Sequence, residues 1–539
     1  MNRFYILITV TALSVLLGSC VERTVRVELA ATNDTHGAIF PKGYTEGAAA
    51  HSSLASVCSY MDSLREAAGD DNVILIDCGD HLQGDNATYY FNYVDSTEEN
   101  HLVSRVFNFM DYDAVVVGNH DLEAGHPVYD RIARELDCPY LAANAVKVSD
   151  GEAYFDRYTV LERDGLRVAV IGFTNPNVKS WISPDKYEGI DFIPVDSIAA
   201  SLVREVRHRE SPDVVILAVH CGLGAEDVPS IENNALYLAA HVPGIDAVIS
   251  SHDHKRLATK VMGAGGDSVC VVESGSKARA LSRLSITAVK KGNRLISLEI
   301  SPSVEDVAHL QPSGRYMTEF GEEWQKVYDF SNRVIGRLTS PLDLSYRQDC
   351  RSDYLALIHY VQLSCPGVEI SFTAPLVSEG VMPAGDLKFN DLFTLYRFEN
   401  LLYVVEMTGQ EVHDYLEGAY DKRITGSDFL YNYDTAGGLI YTVDPSAEKG
   451  RRIRIISMWD GTSFDPTRRY KVAMTSYRAS GAGGLLAEAG LDRDEMTGRV
   501  IEIYPEIRVM LCDFIENQKD IDPRKIADEK MTGSWHFVR

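Results

Sequence analysis

The sequence predicts an α/β protein built from two folded domains, and three observations support this prediction. The chain has 539 residues, of which 45% are hydrophobic, so it can bury more core than one domain normally contains. Short β-branched runs alternate with amphipathic stretches, a pattern typical of buried parallel strands separated by helices. No solenoid-length repeat and no low-complexity tract interrupts the sequence, so we expect both halves to fold.

Five apolar segments predict the central strands of the first half. They are VRVELAATND, NVILIDCGD, DAVVVGNHD, VVILAVHCG and IDAVISSHDH. The segment YTVLERDGLRVAVIGFT adds a predicted hairpin, with its turn at Asp164 and Gly165, because an Asp-Gly pair between alternating strands favours a two-residue turn.

A helix is expected between Arg315 and Val334, and we interpret it as a bridge between the two domains. The apolar residues of this segment recur at helical spacing: Tyr316, Phe320, Trp324 and Val327. In the second half, the predicted strand LLYVVEM leads into a capping box formed by Thr408 and Glu411, which should start a helix. The segments RIRIISM and YKVAMTS predict later strands.

The charge of the chain limits the classes of partner. The formal net charge is -26, from 78 acidic and 52 basic residues, which argues against a nucleic acid polymer as a partner over a wide surface. A small anion held by metal ions is compatible with this charge, because bound cations dominate their local field.

The first twenty residues predict an export signal. Arg3 supplies the positive start, and the apolar run 4–17 is too short to span a bilayer comfortably. The run leads into LGSC at 17–20, which resembles a bacterial lipobox with Cys20 as the lipidated residue. An ordinary secretory signal in which Cys20 is incidental is the alternative. We therefore expect an exported protein, lipid-anchored to the bacterial envelope and facing the periplasm or the cell surface.

Polar side chains of metal-ligand type follow each of the five predicted strands. These side chains are Asp34 and His36, Asp80, Asn119, His220, and His252 with His254. The carboxyl ends of neighbouring parallel strands converge on one crevice, so residues remote in sequence should meet there. Each motif alone would also fit a hydrogen-bonded turn or a core histidine, but five at strand ends favour a metal site. Carboxylate, amide and imidazole donors together suit two divalent ions such as zinc, manganese, iron or cobalt.

The motifs D-x-H, G-D-x-x-Q-G, G-N-H-D, a strand-end His and H-x-H occur in this order and resemble the calcineurin-like metallophosphoesterase signature. With a second α/β domain following, the chain is similar to the secreted 5'-nucleotidase and 2',3'-cyclic-nucleotide phosphodiesterase family. After the predicted signal peptide at 1–20, the resemblance implies a four-layer α-β-β-α sandwich at 25–305. It further implies a linker with a bridging helix at 306–334 and a substrate-binding domain at 335–539.

The resemblance also implies a role for each residue of the first half. One metal ion would be held by Asp34, His36, Asp80 and His254. The other would be held by Asp80, Asn119, His220 and His252. Asp80 would then bridge the ions, His120 would stabilise or protonate the departing oxygen, and Asp121 would orient His120. A hydroxide bridging the metal ions would attack phosphorus without a covalent enzyme intermediate.

Members of this family stack a nucleobase between two aromatic residues of the second domain. The resemblance implies four substrate-binding residues here: Phe398, Asn400, Tyr477 and Arg478. Ordinary core packing of the aromatics and an ordinary surface charge are the alternative. The family's N-x-G-G-I-R loop is absent and reads TAPLVSEG at 373–380, so a bidentate anion partner is lost.

Three functions remain open from the sequence. The first is a dinuclear-metal phosphohydrolase that acts on nucleotides or similar small phosphate esters and releases phosphate outside the cytoplasm. The second keeps the metal site but changes the substrate to cyclic nucleotides, nucleotide sugars or a non-nucleotide phosphate ester. The third is a non-enzymatic, ligand-binding lipoprotein, which the retention of every predicted ligand and of His120 disfavours.

Overall fold

The structure is a computed structural model that describes residues 22–45, 48–95, 99–398, 400–426, 429–528 and 534–538. The described chain divides into two compact units, each defined by the contacts inside it. Unit 1 comprises Met1–Val178 and Pro184–Val327, and unit 2 comprises Lys179–Ser183 and Tyr328–Arg539. The predicted export signal and Cys20 lie outside the described residues. Within the described ranges, no helix combines the length and the apolar character needed to cross a membrane.

Unit 1 alternates strands and helices along most of its length. Its strands are β1 (Glu22–Thr32), β2 (Val73–Asp77), β3 (Ala114–Val116), β4 (Tyr140–Leu141), β5 (Ala145–Lys147), β6 (Tyr158–Arg163), β7 (Leu166–Phe173), β8 (Ile190–Phe192), β9 (Val214–Val219), β10 (Ala247–Ile249), β11 (Arg256–Met262), β12 (Ser268–Ser274), β13 (Ala280–Lys291) and β14 (Arg294–Asp306). Its helices are α1 (Leu54–Ala68), α2 (Asn86–Tyr93), α3 (Leu102–Phe109), α4 (His126–Glu135), α5 (Val195–Glu210) and α6 (Ala235–His241). Short 3-10 turns occupy Asp70–Asn72, His120–Leu122, Pro176–Ser180 and Pro184–Tyr187.

The strands of unit 1 form two large sheets with parallel centres. The first has the order β14-β13-β1-β2-β3-β4 and the second the order β11-β12-β10-β9-β7-β6. In the first sheet β1 to β4 run parallel, and in the second β7, β9, β10 and β12 do. A two-stranded sheet of β5 and β8 stands apart. The predicted hairpin is confirmed, since β6 and β7 pair antiparallel around Asp164 and Gly165, both at positive φ.

The main core of unit 1 lies between these two sheets. One continuous buried cluster joins inward residues of the first sheet, such as Leu29 and Ile76, to inward residues of the second, such as Val170 and Ile216. The other face of the second sheet packs against α5 and α6 through residues such as Leu217 and Leu202. Helix α1 packs on β2 of the first sheet. The predicted four-layer α-β-β-α arrangement is therefore confirmed.

Helix α7 (Gly314–Ser331) occupies the segment in which the sequence predicts a bridging helix. The division between the units falls inside this helix, between Val327 and Tyr328. The short segment Lys179–Ser183 belongs to unit 2, which the sequence did not indicate. The domain limits given above at 25–305, 306–334 and 335–539 stay predictions.

Unit 2 is a second mixed α/β unit. Its strands are β15 (Val334–Leu338), β16 (Leu342–Asp343), β17 (Ile370–Thr373), β18 (Val381–Met382), β19 (Gly385–Lys388), β20 (Leu401–Thr408), β21 (Thr435–Gly437), β22 (Leu439–Val443), β23 (Ile453–Met458), β24 (Arg469–Thr475), β25 (Val500–Glu506), β26 (Asp520–Ile521) and β27 (Ser534–Phe537). Its helices are α8 (Asp353–Leu363), α9 (Asp391–Leu395), α10 (Gly409–Thr425), α11 (Ser476–Ala479), α12 (Leu485–Glu488), α13 (Arg493–Thr497), α14 (Ile507–Gln518) and α15 (Pro523–Asp528). Two 3-10 turns occupy Leu430–Asn432 and Ala482–Gly484.

A five-stranded sheet with the order β21-β17-β24-β20-β25 organises unit 2. Helix α10 packs its buried residues Val412, Leu416 and Ala419 into the same cluster as Val405 of β20 and Val472 of β24. Smaller sheets have the orders β19-β15-β26, β16-β18 and β23-β22-β27. The second α/β domain expected from the sequence is thus confirmed.

The predicted capping box at the start of α10 is also confirmed and generates a test. The Glu411 amide donates to Thr408 Oγ1 at 3.2 Å, and the Thr408 amide donates to Glu411 Oε2 at 2.7 Å. Replacing Thr408 with Ala should destabilise the helix start by about 1 kcal/mol, because one amide loses its acceptor. Faster hydrogen exchange of the first-turn amides of α10 is the expected result. The variant Thr408→Ser keeps the hydroxyl and should exchange like the parent, whereas equal protection in both variants would contradict the assignment.

Candidate metal centre and active site

The seven predicted metal ligands come together at the carboxyl ends of the parallel strands of unit 1. They follow β1, β2, β3, β9 and β10, as the sheet topology requires. The local backbone is unusual there. Five of the seven have a positive φ: Asp34, His36, Asp80, His252 and His254. Non-glycine residues seldom adopt this conformation, because it costs about 1–3 kcal/mol for each residue, and five of the eleven described positive-φ residues other than glycine are predicted ligands.

One ligand group consists of Asp34, His36 and His254. The Nε2 atoms of the two histidines lie 3.0 Å apart, and His254 Nε2 lies 3.6 Å from Asp34 Oδ1. Asp34 is fully buried and His36 nearly so, whereas His254 is exposed. This group has an open side toward solvent at His254.

A second ligand group consists of Asp80, His220 and His252, with Asn119 among them. His220 Nε2 lies 3.2 Å from Asp80 Oδ2 and 3.0 Å from Asn119 Oδ1, and His252 Nδ1 lies 2.9 Å from the same amide oxygen. Asp80 Oδ2 is also 3.9 Å from His36 Nε2 of the first group. Asp80 therefore lies between the two groups, where a bridging carboxylate is expected.

The donor atoms fit divalent cations on electrostatic grounds. His220 Nδ1 lies 2.7 Å from the Cys78 carbonyl, and with an N–H donated there Nε2 would present a lone pair toward Asp80 and Asn119, as a metal ligand does. Burial acts to lower the pKa of His220, but the Asp80 carboxylate outweighs it and raises the pKa to about 9, so a bound cation would take the place of a proton on Nε2. Burial lowers the pKa of His36 well below its usual value, so its ring is neutral, as a metal ligand must be.

His120 lies at the edge of this cluster, with its ring 5.4 Å from that of His36. Its Nδ1 is 2.7 Å from Glu123 Oε1, and its backbone amide donates to Asp80 Oδ1 at 2.9 Å. Burial acts to lower the pKa of His120, but the carboxylates of Glu123 and Asp80 outweigh it and raise the pKa to about 10. Without bound cations the imidazole is therefore protonated at neutral pH and has a proton to give from Nε2.

The carboxylate partner of His120 is Glu123, not Asp121, and this corrects the sequence analysis. The 3-10 turn His120–Leu122 brings residues three apart onto one face, so the spacing H-x-x-E was the signal that the sequence analysis missed. Asp121 instead receives four backbone amides in a fully buried position. Its donors are the N–H groups of Asp80, His81, Leu82 and Gly118, at 2.7–2.9 Å.

Glu232 is a second residue that sequence reasoning missed. Its Oε1 atom lies 3.1 Å from His252 Nε2, on the ring edge opposite Asn119. The hydrogen bond from His252 outweighs partial burial and lowers the pKa of Glu232, which keeps the carboxylate ionised. No motif announced this residue, because it lies in the irregular segment 220–234 between β9 and α6.

The four predicted substrate-binding residues all lie in unit 2. Phe398 is half-buried, and its ring meets that of Tyr431 edge to face at 6.4 Å. Asn400 donates to the Tyr396 hydroxyl at 3.2 Å. Tyr477 is half-buried in helix α11, which directly follows β24, and it immediately precedes Arg478. Their contact with a substrate stays a prediction.

Arg478 has a structural role that the sequence did not indicate. It is 3% exposed, and its guanidinium pairs with Asp434 at 2.8 Å and donates to Asn432 Oδ1 at 2.8 Å. Further donations reach the carbonyls of Tyr431 and Ala482. These contacts occupy the guanidinium within unit 2, so the structure gives it the task of holding the glycine-rich loop rather than a substrate anion.

Comparisons with known proteins agree with this geometry. Residues 28–256 match the family described as calcineurin-like phosphoesterase, and residues 334–489 match the 5'-nucleotidase C-terminal domain. The trifunctional nucleotide phosphoesterase protein YfkN of Bacillus subtilis (strain 168) is 25% identical over 93% of this chain. The match covers 38% of the length of YfkN. The 2',3'-cyclic-nucleotide 2'-phosphodiesterase/3'-nucleotidase of Salmonella typhimurium is 23% identical, over 87% of this chain and 84% of that protein. A Staphylococcus aureus protein crystallised with alpha-ketoglutarate shares the fold, with a TM-score of 0.78, 20% identity and coverage of 95% of this chain and 100% of that one.

The first half of the chain combines a match to the calcineurin-like phosphoesterases with two groups of metal-ligand side chains, an arrangement that fits a metal-dependent hydrolase of phosphoric esters. The second half matches the 5'-nucleotidase C-terminal domain, so the chain resembles the 5'-nucleotidases in both of its halves.

The Asp121 contacts generate a test of how the site is held. In Asp121→Asn, one carboxylate oxygen becomes an NH₂ group that faces backbone donors instead of accepting from them. We expect a loss of about 1–3 kcal/mol for each N–H left without an acceptor, together with weaker metal binding. Thermal unfolding and metal content after dialysis are the measurements. The exposed Asp71 provides a control, and an Asp121→Asn protein as stable as Asp71→Asn would refute the structural role.

Proposed function

We propose that this protein hydrolyses nucleotide phosphate esters outside the cytoplasm, with His120 as the proton donor to the leaving oxygen. The observation that carries this proposal is the His120–Glu123 pair at 2.7 Å, placed beside two groups of metal-ligand side chains. Asp34, His36, Asp80 and His254 would hold one metal ion. Asp80, Asn119, His220 and His252 would hold the other. Bound divalent cations would polarise the phosphoryl group and lower the pKa of the attacking water.

The residues of the chain supply the remaining chemistry. Water adds to phosphorus and releases one proton to solvent while the bond from phosphorus to the leaving oxygen breaks, and that oxygen takes the proton from His120 Nε2. Glu123 accepts the hydrogen bond from His120 Nδ1, which orients the ring and stabilises its charged form before the transfer. The products are an alcohol and a phosphate, and His120 regains a proton from solvent.

Two observations support nucleotides as the substrate class. The names of the Bacillus and Salmonella relatives both state that those proteins act on nucleotides. In unit 2, Phe398 and Tyr477 present half-buried rings on which a planar base can stack. Asn400 and Arg478 complete the predicted set, Arg478 through the loop that it holds.

Cyclic nucleotides are a second candidate substrate class for the same site. The Salmonella relative is named for a 2',3'-cyclic-nucleotide activity. A cyclic phosphodiester carries one charge fewer than a phosphate monoester. It therefore suits a second domain that lacks the loop arginine and whose Arg478 is engaged by Asp434.

The proposed location rests on the first twenty residues. The sequence LGSC supports lipidation at Cys20 after cleavage, and a lipid-anchored enzyme facing the periplasm or the cell surface would meet nucleotides that do not cross membranes. Phosphate released there becomes available for uptake.

The role of His120 is tested by phosphate release from 5'-, 3'- and 2',3'-cyclic nucleotides with added manganese or zinc. His120→Ala should lower kcat by about 10²–10⁴-fold, the usual contribution of a positioned acid. Two metal ions per chain should stay bound. The control is His126→Ala, which removes an imidazole that also pairs with a carboxylate, Asp130 at 3.1 Å. Turnover by His120→Ala equal to the parent would remove His120 from the mechanism.

The base-stacking role of Phe398 is tested by comparing AMP with ribose 5-phosphate, which lacks a base. Phe398→Ala should raise KM for AMP by about 5- to 150-fold, the equivalent of roughly 1–3 kcal/mol for one base–aromatic stack. The values for ribose 5-phosphate should not change. Trp459, a half-exposed aromatic of the same unit, provides the control as Trp459→Ala. An equal effect on both substrates would rule out stacking on Phe398.

A further inference from the structure

His252 differs from the buried imidazoles of His36 and His220 in the partner of its second nitrogen. His220 and His36 each turn Nδ1 toward a backbone carbonyl, of Cys78 at 2.7 Å and of Gln83 at 3.3 Å. His252 presents Nδ1 to the centre, 2.9 Å from Asn119 Oδ1, and its Nε2 lies 3.1 Å from the Glu232 carboxylate. A carboxylate is the stronger acceptor, so this ring is held differently from the others.

Glu232 is itself held in place by neighbours outside the ligand set. The Asn175 side chain donates to the Glu232 carbonyl at 3.2 Å, and the Asn177 side chain donates to Glu232 Oε2 at 3.4 Å. The Glu232 amide donates to Ser230 Oγ at 3.3 Å. Both asparagines follow β7, so a separate part of unit 1 holds Glu232, Asn175 through its backbone and Asn177 through its carboxylate. A side chain placed only by attraction to His252 would not need these contacts.

We propose that Glu232 is a positioning residue that sets the tautomer and the orientation of His252 for metal binding. The carboxylate accepts a hydrogen bond from Nε2–H, which would leave the Nδ1 lone pair available to bind a metal ion together with Asn119 and Asp80. The same hydrogen bond makes Nδ1 more basic and therefore a stronger ligand for a metal ion. This inference rests on the proposed metal-binding role of His252, and it adds a residue that does not touch the metal.

The competing interpretation is an ordinary ion pair at the protein surface. The Glu232 side chain is 37% exposed, and pairs of that kind contribute little. The two interpretations differ in their consequences. A surface pair would leave metal affinity unchanged when the carboxylate is removed, whereas a positioning carboxylate typically changes metal affinity by about 10–100-fold.

The test measures the binding of manganese to the metal-free, full-length protein by calorimetric titration. Wild type should bind two Mn²⁺ ions. In Glu232→Ala, one of the two should bind about 10–100-fold more weakly while the other keeps its affinity. Glu232→Gln keeps an acceptor oxygen without the charge, so its affinity for the weaker Mn²⁺ ion should lie between those of wild type and Glu232→Ala. This intermediate affinity separates loss of the hydrogen bond from loss of fold. Glu226 is exposed in the same loop, so Glu226→Ala is the matched control and should bind both ions normally.

The possible outcomes separate this inference from the proposed function. Two unchanged Mn²⁺ sites in Glu232→Ala would overturn the positioning role and leave the proposed function standing. An equal loss in Glu226→Ala would also overturn it, because the effect would then be one of loop charge. A wild-type protein that binds no metal would overturn both.

Discussion

The buried carboxylate of Asp121 holds together the two loops on which the metal centre depends. One oxygen accepts the amides of His81 and Leu82, and the other accepts those of Asp80 and Gly118. These amides belong to the loops that follow β2 and β3, so a single side chain fixes the position of Asp80 relative to Asn119. The approach is close, because a Cβ atom on Gly118 would lie 2.2 Å from the Asp80 amide nitrogen. A charged acceptor suits this task, since hydrogen bonds to ionised groups are the stronger ones.

Hydrogen bonds between the loops also explain how five ligands can keep a backbone conformation with positive φ. The Asp34 amide donates to the Gly79 carbonyl and the His36 amide to the Asp80 carbonyl, both at 2.9 Å, which ties the loop after β1 to the loop after β2. The His252 amide in turn donates to the Asp34 carboxylate at 2.9 Å. Each positive φ costs about 1–3 kcal/mol, and such residues persist only where neighbouring contacts determine them. These contacts hold the loops after β1, β2 and β10 together, so the ligand side chains that they carry stay close to one another.

The limits of sequence reasoning follow from what each residue contacts. The strands, the hairpin at Asp164 and the capping box at Thr408 could be predicted, because their signals lie within a few residues of each other. The convergence of the strand ends followed from the topology of a parallel sheet. Glu232 could not be predicted, because its partner His252 is twenty residues away and the loop between them has no periodic pattern. Arg478 was read as a surface charge or an anion contact, yet its partner Asp434 lies 44 residues earlier in the chain.

The burial of Arg478 limits how the second half of this chain can recognise an anion. The described loop 373–380 offers no arginine, and the guanidinium of Arg478 is held by Asp434 and by backbone carbonyls. The net charge of -26 adds long-range repulsion toward phosphate, although salt screens it beyond about 8 Å. Under the proposed function, attraction for the phosphate would then come mainly from cations at the ligand cluster of unit 1. Stacking on an aromatic ring suits every base, so the proposed enzyme should discriminate weakly among bases.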